Sequence, residues 1–293
     1  DMYSFVDTPF SIGTLQLQHR LVQGPLAGFS CAPFRQLFSL FMPPAYCVTE
    51  MLSAHDVIHK HPAMGRYLYR SPNEGFLCYQ IAGSDPTLMA DAAVKIADFG
   101  GDLIDINCGC PKNKIRKNGA GSALLEHPER LLAIVQAVRR VVRCPLTVKI
   151  RLLVHRNDSI ELSKKIADAG ADALIVHGRH WREGYNSRCD LQQIAEIKRA
   201  ITIPLIANGD IADKNTLNNT LAETGADGFM IARAGTGKPW LFQELLSEIP
   251  VIMDNAKVIA LFLMHLEGLA KLENEYKAVL QSKSLIRYYF KEQ

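Results

Sequence analysis

The residues best suited to chemistry stand singly at the ends of apolar runs. Cys110 lies in Asn107-Cys108-Gly109-Cys110-Pro111, just after Leu103-Ile104-Asp105-Ile106, and Lys149 interrupts the run 146–150. A loop thiol can donate a proton, attack as a nucleophile or ligate a metal. No second ligand pair matches Cys-Gly-Cys, so zinc is not expected, and Cys108 reads as a buried neighbour of Cys110. His55, His59 and His61 lack the carboxylates of a metal centre, and no metal site is assigned. Lys149 can form a Schiff base or give a charge-assisted hydrogen bond to an anion, while pairing with a carboxylate such as Glu50 is its plainer role. Gln80, Arg151, His177, Arg179, Asn208 and Arg233 hold comparable places after other apolar runs. The small residues of Asn208-Gly209-Asp210 and Ala232-Arg233-Ala234-Gly235-Thr236-Gly237 would let backbone N–H groups approach a phosphate.

Positioning these groups requires a repeated unit, and the chain contains one. ADFGGDLI at 97–104 returns as ADAGADAL at 167–174 and as AETGADGF at 222–229. Each copy reads as a helix end, a glycine in the left-handed C′ position and a polar turn into a buried strand. Strands are expected at 21–26, 47–49, 77–81, 103–106, 146–150, 173–176, 205–207 and 229–231. They are apolar without alternation, as in parallel sheets covered on both faces, and amphipathic stretches such as 86–98 and 128–142 separate them. The pattern predicts an α/β fold, a (β/α)8 TIM barrel over residues 1–248, with its chemistry on the loops after the strands. A doubly wound sheet would carry a glycine fingerprint after its first strand, and Gly24-Pro25-Leu26-Ala27-Gly28 is not one. Residues 249–293 hold no strand candidate and predict a small all-helical C-terminal domain, too short to close a bundle unless it leans on the barrel or continues beyond this sequence.

With 48% hydrophobic and 22% charged residues the chain can bury a large core, and no apolar run is long enough for a membrane span. The opening residues 1–10 lack the basic and apolar regions of a signal peptide. Seven scattered cysteines suit a reducing cytoplasm better than a disulfide framework. A net charge of +3 permits a polyanionic partner without demanding one.

Asp105 to Pro111 followed by KNKIRKNGAGSALL resembles the signature of the tRNA-dihydrouridine synthases. Further matches follow in order: Gly24 to Gly28 with Pro33-Phe34-Arg35, Gln80 to Pro86, Val148-Lys149-Ile150-Arg151, Val176-His177-Gly178-Arg179, Ile206 to Ile211, and Ile231 to Phe242. The resemblance covers roughly residues 12–245 and is nearest the bacterial B-type branch. It implies FMN at the barrel mouth, with NADPH as electron donor, tRNA as substrate and residues 249–293 as a tRNA-binding domain. Pro25, Leu26 and Ala27 would lie along the flavin, with Gln80 and Lys149 on its pyrimidine side. His177, Asn208, Gly209, Asp210, Ala232 and Arg233 would hold the ribityl chain and phosphate. Cys110 would be the catalytic proton donor.

Reduction of the uracil C5–C6 bond needs a hydride at C6 and a proton at C5, and a thiol that is mostly protonated near neutrality suits the second task. Asn107 would anchor the uracil or the loop, and Arg151, beside Lys149, would meet substrate. Lys112, Lys114, Arg116 and Lys117 would grip RNA phosphates, as would Arg179 and Arg182, with Trp181 stacking on a base or sugar. The branch implies a D-loop target at nucleotide 17 and a monomer that forms no stable protein complex. Two other readings stay open at this level: a Schiff-base aldolase working through Lys149, and a tRNA-binding protein without catalysis.

Overall fold

The computed structural model describes residues 5–62 and 64–291, so the first four residues of the opening segment and the last two of the helical region lie outside it. All eight expected strands form. They are β3 (Leu21–Gln23), β4 (Cys47–Val48), β6 (Leu77–Ala82), β7 (Leu103–Cys108), β8 (Leu146–Leu152), β9 (Ala173–His180), β10 (Leu205–Asn208) and β11 (Gly228–Ile231). Every neighbouring pair is parallel, and pairing of β11 with β3 and of β4 with β6 closes the barrel. The short β5 (Leu52–Ser53) continues the β4 edge alongside β6.

The internal echo has a physical cause. Asp102, Asp172 and Asp227 each stand just before a strand, and each carboxylate accepts the first N–H of the preceding strand, from Leu77, Leu146 and Leu205, at 2.9 Å in every case. The backbone N–H of each aspartate returns a bond to the same residue's carbonyl, at 3.0, 2.7 and 2.9 Å. A cation completes each unit, namely Arg70, Arg139 and Lys198. The repeated aspartate thus satisfies strand-end donors that burial would otherwise orphan. Upstream of each, Gly100, Gly170 and Gly225 end their helices at φ of 111°, 121° and 63°.

Two features were not foreseen. A hairpin of β1 (Phe10–Ile12) and β2 (Leu15–Leu17) packs Phe10, Ile12 and Leu17 against the inward residues Val22, Cys78, Leu103 and Met230, plugging the end of the barrel opposite the active loops. β8 and β9 also run past their expected ends to Leu152 and His180, with a register shift at Arg151 and Leu152.

After residue 249 the regular elements among the described residues are all helices, as expected. Helices Asn255–Leu272 and Glu275–Tyr289 start at Asp254 and Asn274, whose side chains each cap an N–H two residues into the helix at 2.8 Å. They bury Val258, Leu261, Leu269 and Leu285 against each other and against Cys31 and Leu37 of the barrel. The helical region leans on the barrel.

Candidate active site

Strand register stacks the inward polar residues in layers. Gln80, Asp105 and Thr147 are direct partners across β6, β7 and β8. One step nearer the mouth, Asn107 pairs with Lys149, and above that Arg151 pairs with His177. Buried Asp105 accepts from Thr147 Oγ1 at 2.6 Å and from Gln80 Nε2 at 2.9 Å. Gln80 Oε1 accepts from Asn107 Nδ2 at 3.0 Å. Asn107 Oδ1 accepts the backbone N–H groups of Gly109 and Cys110, at 3.0 and 2.9 Å. The Asn107 side chain thus anchors the thiol loop. Beneath the thiol loop, Ser122 N–H donates to Cys110 O at 3.0 Å, and a Cβ on Gly121 would sit 2.7 Å from that oxygen. The signature segment therefore braces its own cysteine. Cys108 points into the core, and burial pushes its thiol pKa well up.

The mouth opens into a cavity of about 1000 Å³ between the barrel and the C-terminal helices. Pro25, Leu26, Lys149, His177, Asn208, Gly209, Asp210, Ala232 and Arg233 all line it, as does Arg151. Ala27, Gln80, Asn107 and Cys110 do not. Gly209 is required at its place: φ is 119°, and a Cβ would run into Cys189 Sγ and the His177 ring.

The electrostatics ask for an anion. Burial and neighbouring Arg151 lower the Lys149 pKa to about 8, although Asp105 and Cys110 act the other way. Lys149 faces Asp105 rather than Glu50, whose carboxylate instead meets Arg66 at 3.3 Å and the Gly28 N–H at 2.6 Å. Burial, reinforced by Lys149, Arg151, Arg179 and Arg233, takes the His177 pKa down to about 2. His177 is therefore neutral, and its Nε2 lies 3.2 Å from Arg179 Nη1, which can only donate, so the ring proton sits on Nδ1.

Some expected roles move. Arg179, placed with the RNA contacts from sequence, is 1% exposed. Its guanidinium donates to Ser187 O at 2.6 Å and Asp210 Oδ1 at 2.7 Å, because the extended β9 turns it inward. Asp210 borders the cavity, but its carboxylate is committed to Arg179 and to Cys189 N–H at 3.2 Å, so it braces the Asn208-Gly209-Asp210 loop. Tyr185, which no sequence signal marked, lines the cavity with Arg233 Cζ 3.7 Å from its ring centroid.

The two basic runs, remote in sequence, meet at the surface. Arg116 Cζ lies 3.5 Å from the Trp181 ring centroid and Arg182 Cζ lies 5.0 Å away. Arg116 is anchored to Ser122 and Glu126, at 2.8 and 2.9 Å, while Lys112, Lys114, Lys117 and Arg182 are exposed.

The dihydrouridine synthase (Dus) family matches residues 21–293. This chain belongs to that family. Within it, the tRNA-dihydrouridine synthase B of Vibrio vulnificus (strain CMCP6) is 35% identical over 292 residues, covering 96% of this chain and 89% of its own length. Such similarity places the chain in the bacterial B-type branch, as an oxidoreductase. Two solved structures share the fold. A 2-naphthoyl-CoA reductase complex superposes with TM-score 0.66 at 14% identity, over 83% of this chain and 52% of that one, so this chain spans about half of it. An old yellow enzyme homologue from Zymomonas mobilis gives TM-score 0.61 at 14% identity, over 86% of this chain and 95% of that one. Among the described residues no helix of this synthase-family chain is long and apolar enough to cross a membrane.

Proposed function

We propose that the chain reduces the C5–C6 double bond of a D-loop uridine in tRNA to 5,6-dihydrouridine, with FMN as cofactor and NADPH as electron donor. One observation carries this reading: the braced loop of Cys110 abuts Arg151 and starts from Asn107, the register partner of Lys149, and both cations line a cavity walled by further cations and small residues. That lining fits a flavin mononucleotide. Lys149 would meet the pyrimidine side of its ring, with Pro25 and Leu26 along one face. Neutral His177, Asn208, Gly209 and Arg233 would take the ribityl chain and phosphate, at the phosphate locus of barrel enzymes. FMN supplies, when bound, the hydride for uracil C6.

The protein's own task is the proton and the geometry. Cys110 donates its proton to C5, and the nearby Lys149 and Arg151 cations stabilise the thiolate left behind. The cavity exceeds what a flavin fills, and its outer wall comes from Trp240, from Met253 in the linker and from Tyr288 and Tyr289 of the last helix. That leaves room for a uridine swung out of its stack, which tRNA must supply before a buried site can reach it. The patch formed by Lys112, Lys114, Lys117, Arg182 and the Arg116–Trp181 stack would hold the adjoining backbone. The test is the visible spectrum of purified protein during FMN titration. Flavin bands, and a binding curve weakened by Lys149→Met, are expected; absence of flavin together with no binding of added FMN would overturn the reading.

A further inference from the structure

The polar chain beneath the thiol has a fixed direction. At one end, the Gly109 and Cys110 backbone N–H groups can only donate. At the other, Asp105 is ionised above the pKa of about 6 to which burial raises it and can then only accept, taking Thr147 Oγ1 on one oxygen and Gln80 Nε2 on the other. Between them, each amide has a single orientation that serves both neighbours. Gln80 gives its NH2 to Asp105 and its carbonyl to Asn107, which gives its NH2 to Gln80 and its carbonyl to the loop. Asp105 and Gln80 are each 1% exposed and Asn107 8%, so water does not readily replace a lost partner. All four side chains come from adjacent strands in register.

From this geometry we infer that Asp105, with Thr147, is a positioning residue for Cys110: the buried carboxylate sets the orientation of Gln80 and Asn107, and so holds the thiol loop where its proton can reach uracil C5. The inference rests on the proposed uridine reduction, which would be the reaction that uses the thiol. Asp105 touches neither reacting atom. It acts through two amides, so its loss should affect the proton-delivering half of the cycle and spare the other.

Asp105→Leu removes the acceptor, whereas Asp105→Asn removes only the charge. The asparagine carbonyl can still accept from Gln80 while its NH2 donates to Thr147 Oγ1. Two readouts are needed: deuterium uptake by the peptide spanning 107–112, and the separate rates of flavin reduction by NADPH and of reoxidation by unmodified tRNA. In Asp105→Leu, loop exchange should quicken and tRNA-dependent reoxidation slow, each by about tenfold or more. Flavin content, flavin reduction and exchange elsewhere in the barrel should stay within about twofold of wild type. Asp105→Asn, which keeps an acceptor for Gln80, should leave loop exchange as in wild type. Unchanged loop exchange in Asp105→Leu would overturn the inference, as would equal damage from Asp105→Asn or a uniform rise in exchange across the barrel. If Asp105→Leu does not fold, the isosteric Thr147→Val carries the test, with faster exchange confined to 107–112 supporting the relay and none refuting it. A wild-type reduced flavin that tRNA leaves untouched would count against uridine reduction alone, because the exchange measurement needs no tRNA.

Discussion

Lys149 shows how a residue's task can oppose its stability. Its pKa falls from 10.5 to about 8 on folding, so between those values the folded protein binds fewer protons than the unfolded chain. Stability of the flavin-free protein should therefore rise as pH increases through that window, and the full cost is carried below about pH 8. Lys149→Met should stabilise the flavin-free protein at pH 7 by on the order of 1–2 kcal/mol, a few degrees in Tm, while weakening FMN binding. A melt without flavin and a flavin titration check the two halves. In wild type, FMN affinity should fall as pH rises above about 8, where Lys149 loses its charge before binding. His177 should add no break near pH 6.5, because it is already neutral there. A fluorescence titration of flavin binding across pH 5–10 would show both.

The elements that hold these residues were legible to different degrees. Eight strands could be read because each is a continuous apolar run with a turn signal before it. Their register could not, and register is what makes Gln80, Asp105 and Thr147 a single layer. Asp105 was visible in the signature but had no apparent partner. Arg179 misled for a related reason: it sits in a basic stretch, yet the extension of β9 buries it. The echo aspartates give a prediction at this scale. Asp172→Ala removes the acceptor of Leu146 N–H and the partner of Arg139 at the far end of the barrel. It should cost about 2 kcal/mol in denaturant unfolding and leave kcat unchanged. Trp181→Ala removes the ring under Arg116 and should weaken tRNA binding in a filter-binding assay by roughly tenfold, with flavin reduction by NADPH unaltered.

Over the whole molecule, the helical region and the loop after β3 are tied together at Gly28. Its N–H donates to Glu50 at 2.6 Å, and its carbonyl accepts from Arg66 at 3.1 Å and from Gln281 at 2.7 Å. Arg66 also pairs with Glu50 and with Glu273 of the helical region. Sequence offered no view of this junction, since Glu273 and Gln281 lie more than two hundred residues from Arg66 and Gly28, and only Gly28 among its members belongs to a matched motif. Arg66→Ala would leave the buried Glu50 without its cation and cut the link to Glu273. It should lower stability by about 3 kcal/mol in thermal or denaturant unfolding, and loosen the outer wall of the cavity.

The most direct test of the central claim is mass spectrometry of unmodified tRNA after incubation with the FMN-loaded protein and NADPH. A single D-loop uridine should gain two hydrogens, and Cys110→Ala should lower the rate by about 10²-fold or more while its flavin is still reduced normally. A tRNA of unchanged mass beside a flavin that turns over, or a Cys110→Ala variant working at the wild-type rate, would contradict it.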